Sequence, residues 1–156
     1  MLLVLHKQLP AQNYKFQALF IFNIAQRIEW PELSDEFVIG VLGSNDLYKE
    51  LNAIAQKRQL FGHTIRVKTI KSSSLNVEGC HLIYVGHLSA GKLNQVLAQI
   101  SGDPVLAVGE KKGIKGVSIN LIDNAQKIDF EIYPNTIKAH QLKVASSLLS
   151  LGVVKE

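Results

Sequence analysis

Residues 36–46, EFVIGVLGSND, decide the fold class. From Phe37 to Leu42 every position is apolar or glycine, with none of the alternation that marks a strand with one wet face. Such a run fits a strand covered on both sides, as in a parallel sheet between layers of helices. Gly43 ends it, and Ser44 stands where a serine oxygen caps a helix. Leu47, Leu51 and Ile54 then recur at helical spacing in a helix predicted from Asp46 to Arg58.

The same rhythm continues down the chain. Residues 62–70, GHTIRVKTI, alternate like a strand, and Ser72-Ser73-Ser74 links them to a second apolar strand over 80–85. Ser89 is placed to cap a helix carrying Leu93, Val96, Leu97 and Ile100, and residues 104–108 form a further short strand. The expectation is an α/β domain: an open, mostly parallel sheet with flanking helices and Rossmann-like layering. After residue 116 the period becomes two. Residues 117–121 and 127–132, with turn chemistry at 123–126, predict a C-terminal antiparallel hairpin at the sheet edge. Pro134 opens a last helix, expected to carry Ile137, Val144, Ala145, Leu148, Leu149 and Leu151 as one apolar stripe. One domain is expected over 14–156. Residues 1–13 are taken as a tail or a signal-peptide remnant: the Leu2–Leu5 block is short for a signal core, but Leu9-Pro10-Ala11-Gln12 resembles the end of a cleavage region.

With 47% hydrophobic and 19% charged residues, the 156-residue chain is neither disordered nor fibrous. Its apolar runs fall short of a membrane span, so direct membrane insertion is not expected. The net charge of +4 comes from scattered lysines and arginines, apart from Lys111, Lys112 and Lys115 in a glycine-broken turn. Nucleic acid is therefore not an expected partner. Cys80 is the only cysteine, which excludes an intrachain disulfide, and its place at the head of an apolar run suits a buried, inert thiol.

Motifs for chemistry are sparse. The strand-to-helix turn at Gly43-Ser44 lies where phosphates often bind, but GxGxxG and the Walker lysine are missing and Asp46 would repel a phosphate. Histidines 6, 63, 81, 87 and 140 show no paired metal-ligand spacing, and no serine sits in a GxSxG elbow. No catalytic residue, cofactor or metal is expected. The candidate ligand face is the outer side of the hairpin, with Ser118, Asn120, Lys127, Asp129 and Glu131. Carboxylates two residues apart on a strand point the same way and can take a cation or polar ligand, although a polar outer face is also ordinary for an edge hairpin.

Residues 14–31, YKFQALFIFNIAQRIEWP, predict a helix apolar on two sides. Tyr14, Ala18, Ile21, Ala25 and Ile28 form an arc to pack on the sheet. Phe16, Leu19 and Phe22 interrupt the opposite arc, beside Asn23 and Arg27, and Trp30 joins them if the helix runs to Pro31. Either another part of the chain covers this stripe, or a partner or a second copy does.

Together these stretches resemble the YfiR family of periplasmic signalling regulators. The resemblance rests on Phe22-Asn-x-Ala25 followed by Glu29-Trp30-Pro31, on residues 37–43, on Gly62-His-x-Ile-x-Val67, on residues 80–84, on Ile128-Asp-Phe-Glu-Ile132 and on the closing stretch 142–149. It implies a compact, often dimeric α/β domain, exported to the periplasm and without enzymatic activity. Such a protein holds a membrane signalling enzyme, a diguanylate cyclase or in other members a sensor kinase, inactive by binding its periplasmic part. Phe16, Leu19, Phe22, Asn23, Arg27 and Trp30 are the expected partner or dimer surface. There are departures. Disulfide-based redox sensing is closed to a chain with Cys80 alone, Tyr133-Pro134 precedes Asn135 after the Phe-Glu-Ile motif, and Gln17 and Gln26 replace basic residues of the first helix. The alternative expectation is a sensory domain for a small polar ligand, bound near Gly43-Ser44 or on the hairpin face.

Overall fold

The computed structural model describes residues 10–33, 35–124 and 127–155, so residues 1–9 of the tail or leader remnant read over 1–13, and the 125–126 part of the hairpin turn, lie outside the described residues, while 10–13 begin the first helix. The helices are α1 (Pro10–Ala25), α2 (Asn45–Ala55), α3 (Leu93–Gln99) after a 3₁₀ turn at His87–Lys92, α4 (Pro134–Ala139) and α5 (Ser146–Leu149). The strands are β1 (Ile28–Glu29), β2 (Glu36–Leu42), β3 (Gln59–Leu60), β4 (His63–Ile70), β5 (Leu82–Val85), β6 (Leu106–Gly109), β7 (Ile119–Asp123), β8 (Ile128–Ile132), β9 (Lys143–Val144) and β10 (Val153–Val154).

Eight strands form one sheet in the order β10-β8-β7-β6-β5-β2-β4-β3. β2 runs parallel to β4 on one side and to β5 on the other, and β5, β6 and β7 continue in parallel. Side chains alternate between two apolar layers. Phe37, Ile39 and Val41 join the layer under α1 and α2, while Val38 and Leu42 join the layer that contains Leu93, Val96 and Ile100 of α3 and its flank. Both faces of β2 are thus dry, as its uniform composition predicts. The mostly parallel α/β sheet and its antiparallel β7–β8 hairpin are borne out. Ser44 caps α2, its Oγ accepting the Leu47 N–H at 3.2 Å.

Three expectations fail, each through a pairing distant in sequence. The predicted last helix is broken after α4 by Gln141 in the left-handed region (φ 61°). Residues 143–144 leave helical geometry to pair antiparallel with β1, Ile28 opposite Val144. That pairing also shortens the first helix. α1 ends at Ala25, well before Pro31, and the Arg27 carbonyl accepts from Ala145 N at 2.9 Å rather than from another helical turn. The hairpin, finally, is not the outer edge, because β10 adds in parallel outside β8.

Leu19 and Phe22 of α1 turn toward α2. Phe22 is 2% exposed, with the Arg58 guanidinium 5.4 Å above its ring, whereas Phe16 is 62% exposed. Phe22→Ala is expected to cost about 3–5 kcal/mol of unfolding free energy, the range for emptying a buried aromatic site. Phe16→Ala should stay within about 0.5 kcal/mol of the parent, as surface changes do. Urea titrations of both variants check the contrast, and equal losses would show that Phe22 is not core.

Candidate interaction surface

The expected partner stripe is divided by the fold. Phe16 stays in solvent, and Leu19 lies half-buried beside Ala53, Ile54 and Arg58 of α2 and its end. Phe22 is core, covered by α2 rather than by a partner. Trp30, also expected on this surface, is 9% exposed. Since α1 stops early, Trp30 follows β1 and its indole turns inward, edge-on to Phe37 at 4.9 Å, and donates from Nε1 to the His81 carbonyl at 3.2 Å. His81 stacks on Phe37 at 5.1 Å, and its Nδ1 accepts the Val38 N–H at 3.0 Å, which places the ring proton on Nε2. Trp30, Phe37 and His81 therefore lock β1, β2 and β5 together at the amino ends of the central strands.

Asn23 and Arg27 remain available. Arg27 donates from Nη1 to the Asn23 carbonyl at 2.9 Å, which lays its guanidinium along the helix surface. Both side chains border a groove of about 240 Å³ between α1 and the β8–α5 region, with Phe20, Phe130, Leu148 and Leu151 as apolar walls. Phe20 and Phe130 meet edge to face at 5.3 Å, and Leu151 is 67% exposed on the rim. Beyond it, Val153 and Val154 form an exposed edge strand. An apolar floor with an arginine and an amide on its border has the composition of a binding hot spot. The sequence pointed to Asn23 and Arg27 but not to Phe20, Leu148 and Leu151. These three come together only because α5 returns against α1.

The expected outward ligand face is a different object. Asp129 and Lys127 do face outward, paired at 3.5 Å, with Asn124 Nδ2 donating to Asp129 at 3.1 Å. Ser118, Asn120 and Glu131 lie on that same face but are buried, because residues 110–117 fold over their part of the hairpin and leave its outer end uncovered. Ser118 Oγ accepts from Ala107 N at 3.3 Å. Glu131 Oε1 accepts from Gly113 N at 2.8 Å, Asn120 Nδ2 at 3.3 Å and Tyr133 hydroxyl at 3.4 Å, and Asn120 also donates to the Ile114 carbonyl at 2.9 Å. Desolvation and the neighbouring Glu131 push the Tyr133 phenol up, so it stays protonated and donating. This carboxylate holds a loop down. Gly109 beneath it has no room for a side chain, as a Cβ would meet Asn120 Oδ1 at 2.5 Å.

The Gly43-Ser44 turn lies in an open cleft of about 480 Å³ with Thr69, Lys71 and Ser72. Burial pushes the Cys80 thiol up against the opposing influence of Lys68 and Arg66, so it remains a neutral apolar group. Among the described residues, no group of three or more His, Cys, Asp or Glu could hold a metal, and no helix is long and apolar enough to cross a membrane.

The elements thus assemble a doubly wound α/β domain that presents an apolar, arginine-bordered groove beside its first helix. The chain belongs to the YfiR/HmsC-like family, whose model matches residues 14–153. This is a regulatory family, periplasmic in general, and not known for enzymatic activity. A search of curated proteins returns no match.

Two outcomes follow for the buried polar groups. Glu131→Ala strands three donors and is expected to cost about 3 kcal/mol, within the range for bonds to a charged group, with the 110–117 loop opening to protease. An unchanged urea midpoint would show that the carboxylate does not hold the loop. His81 has its pKa lowered from 6.5 by burial and then by His63, so the unfolded chain binds the extra proton first. Stability should be full above pH 6.5 and fall as pH drops from there toward the folded value. Melting followed by Trp30 fluorescence at pH 7.5 and 5 should show this fall in the parent and a smaller one in His81→Gln.

Proposed function

We propose that the chain is a non-enzymatic periplasmic regulator that binds the periplasmic part of a membrane signalling enzyme, a diguanylate cyclase or a sensor kinase, and restrains it. The observation that carries this reading is membership of a regulatory family over nearly the whole chain. The groove between α1 and the β8–α5 region supports it: Phe20 and Leu151 offer apolar area, and Asn23 and Arg27 offer directed polar contacts at its border. Phe16, exposed two turns earlier on α1, extends the same surface.

Restraint needs only a difference in affinity. A regulator that binds the resting form of the enzyme about 10⁴-fold more tightly than its active form moves the population from 1:99 to 99:1, about 5.5 kcal/mol. A groove with a few apolar anchors can supply that difference if the active form withdraws its complementary segment. A homodimer is proposed on this same face, so self-association and partner binding would compete.

The test uses the membrane signalling enzyme encoded beside this chain, where there is one. Binding of its periplasmic domain is measured by calorimetry, and enzyme output is followed in membranes. Arg27→Glu and Leu151→Asp are expected to weaken association at least tenfold and to release the enzyme, with melting curves close to the parent's. Sedimentation of the same variants reports the dimer. Association that survives both substitutions would move the contact elsewhere, and no association with any membrane signalling enzyme would overturn the reading.

A further inference from the structure

The carboxyl edge of the sheet, beneath the start of α1, holds polar groups that the partner surface does not use. Tyr84 faces α1 from β5 and is fully buried, yet its hydroxyl has no hydrogen-bond partner. Gln17 reaches down from α1 and is 3% exposed. Its Nε2 approaches Asp123 Oδ2 at the end of β7, at 3.4 Å, while its Oε1 is buried with no partner. Glu110 directly follows β6, its side chain 15% exposed. Both of its bonds, from His87 N at 3.1 Å and from His87 Nδ1 at 3.2 Å, are accepted at Oε2. Glu110 and Tyr84 are neighbours: burial first, then this carboxylate, drives the phenol's pKa up, although the two make no hydrogen bond of ordinary geometry.

Two orphaned buried oxygens at one sheet edge are unusual, since nearly all such atoms are paired. Their position is also telling. Strand order reverses between β2 and β5, and the crevice at the carboxyl ends beside such a reversal is where open α/β sheets bind ligands. Gly86 keeps that edge narrow, as its missing Cβ would lie 3.0 Å from the Gly43 carbonyl oxygen. The chemistry is that of acceptors: the Glu110 carboxylate, the Gln17 amide oxygen and the Tyr84 hydroxyl oxygen. An ammonium carries three donors and one positive charge, which matches three acceptors of which one is anionic. An anion would meet Glu110 and Asp123 and be repelled.

We infer that this edge is a binding site for a small molecule bearing a primary ammonium group, with Glu110 as counter-charge and Gln17 Oε1 and Tyr84 hydroxyl as its further partners. The site is separate from the α1–α5 groove, so it stands or falls independently of partner binding.

The probes are methylammonium, ethanolamine and putrescine, titrated at constant ionic strength, with 1,4-butanediol as the uncharged match for putrescine. At least one ammonium should raise Tm saturably, by about 3–6 °C at ten times its Kd, and butanediol should not. Tyr84→Phe and Gln17→Leu remove the orphaned atoms, so the unliganded proteins should melt at or above the parent's Tm while Kd weakens at least tenfold. Glu110→Gln should abolish the response in a folded protein. No saturable shift with any of the three ammonium probes would leave only water at the site and overturn the inference. So would an equal shift with butanediol, or full responses in the three variants.

Discussion

Everything in this molecule is arranged around a strand that, past its first residue, touches no water. β2 lies between β4 and β5 with Phe37, Ile39 and Val41 buried on one face and Val38 and Leu42 on the other. A strand dry on both sides can hold only apolar residues, and each side chain it buries is worth about 1.5–3 kcal/mol relative to exposure. It also requires cover on both faces. α1 and α2 supply one layer, and α3 with the segments around it supplies the other. Gly40 shows how close that second layer comes, since a Cβ there would meet Ile70 Cδ1 at 2.6 Å and Cys80 Sγ at 2.9 Å. Cys80 therefore contributes volume rather than chemistry, which agrees with its raised pKa.

The demand for cover explains where function can reside. α1 uses Ala18, Ile21 and Ala25 to seal the sheet and uses Leu19 and Phe22 to seal itself to α2. What it leaves over is a thin border, Phe20, Asn23 and Arg27, against which α5 returns. The groove is therefore a seam between two elements already held by the core through Ile24, Phe130 and Leu148. Walls packed in advance lower the ordering cost of association, which is the advantage of building a contact on packed elements rather than on a loop.

How far the sequence disclosed this depends on whether a feature is local. β2, β5 and β6 were legible because burial on both faces removes alternation from the composition itself, β4 because its one wet face keeps it, and Ser44 was legible as a cap because the cap lies three residues from its donor. The two-residue β1–β9 ladder was not legible. Ile137, Val144 and Leu148 suit a helix stripe equally well, and the break at Gln141 uses a positive φ without the glycine that would announce it. Trp30 was misplaced for the same reason, because Pro31 is a sufficient local stop and the actual stop is a carbonyl bonded to Ala145. Glu131 was misjudged because alternation says which side a residue takes but not whether a loop covers that side. Its donors come from Gly113, Asn120 and Tyr133, and the Gly113 loop carries no pattern that foretells the bond.

Burial of polar groups thus separates into two kinds. Around Glu131 the carboxylate gathers a main-chain N–H, an amide and a phenol onto one oxygen, and the result is a loop fixed over a hairpin. Around Tyr84 the phenol and the Gln17 amide are as deeply buried, but their bonds do not close. The phenol and the Gln17 carbonyl oxygen stand unpaired, while Glu110 keeps its bonds to His87 on one oxygen. Folding alone explains the Glu131 carboxylate, since its three donors are all in the chain, although Asn120 Oδ1 beside it is also buried without a partner. It does not explain the second cluster, because an apolar residue at 84 or 17 would fill the same space without the desolvation penalty that an unpaired buried group carries. A polar side chain retained where packing would favour an apolar one is accounted for most simply by a partner that arrives from solution, and the acceptor character of the cluster sets the chemistry that partner must bring.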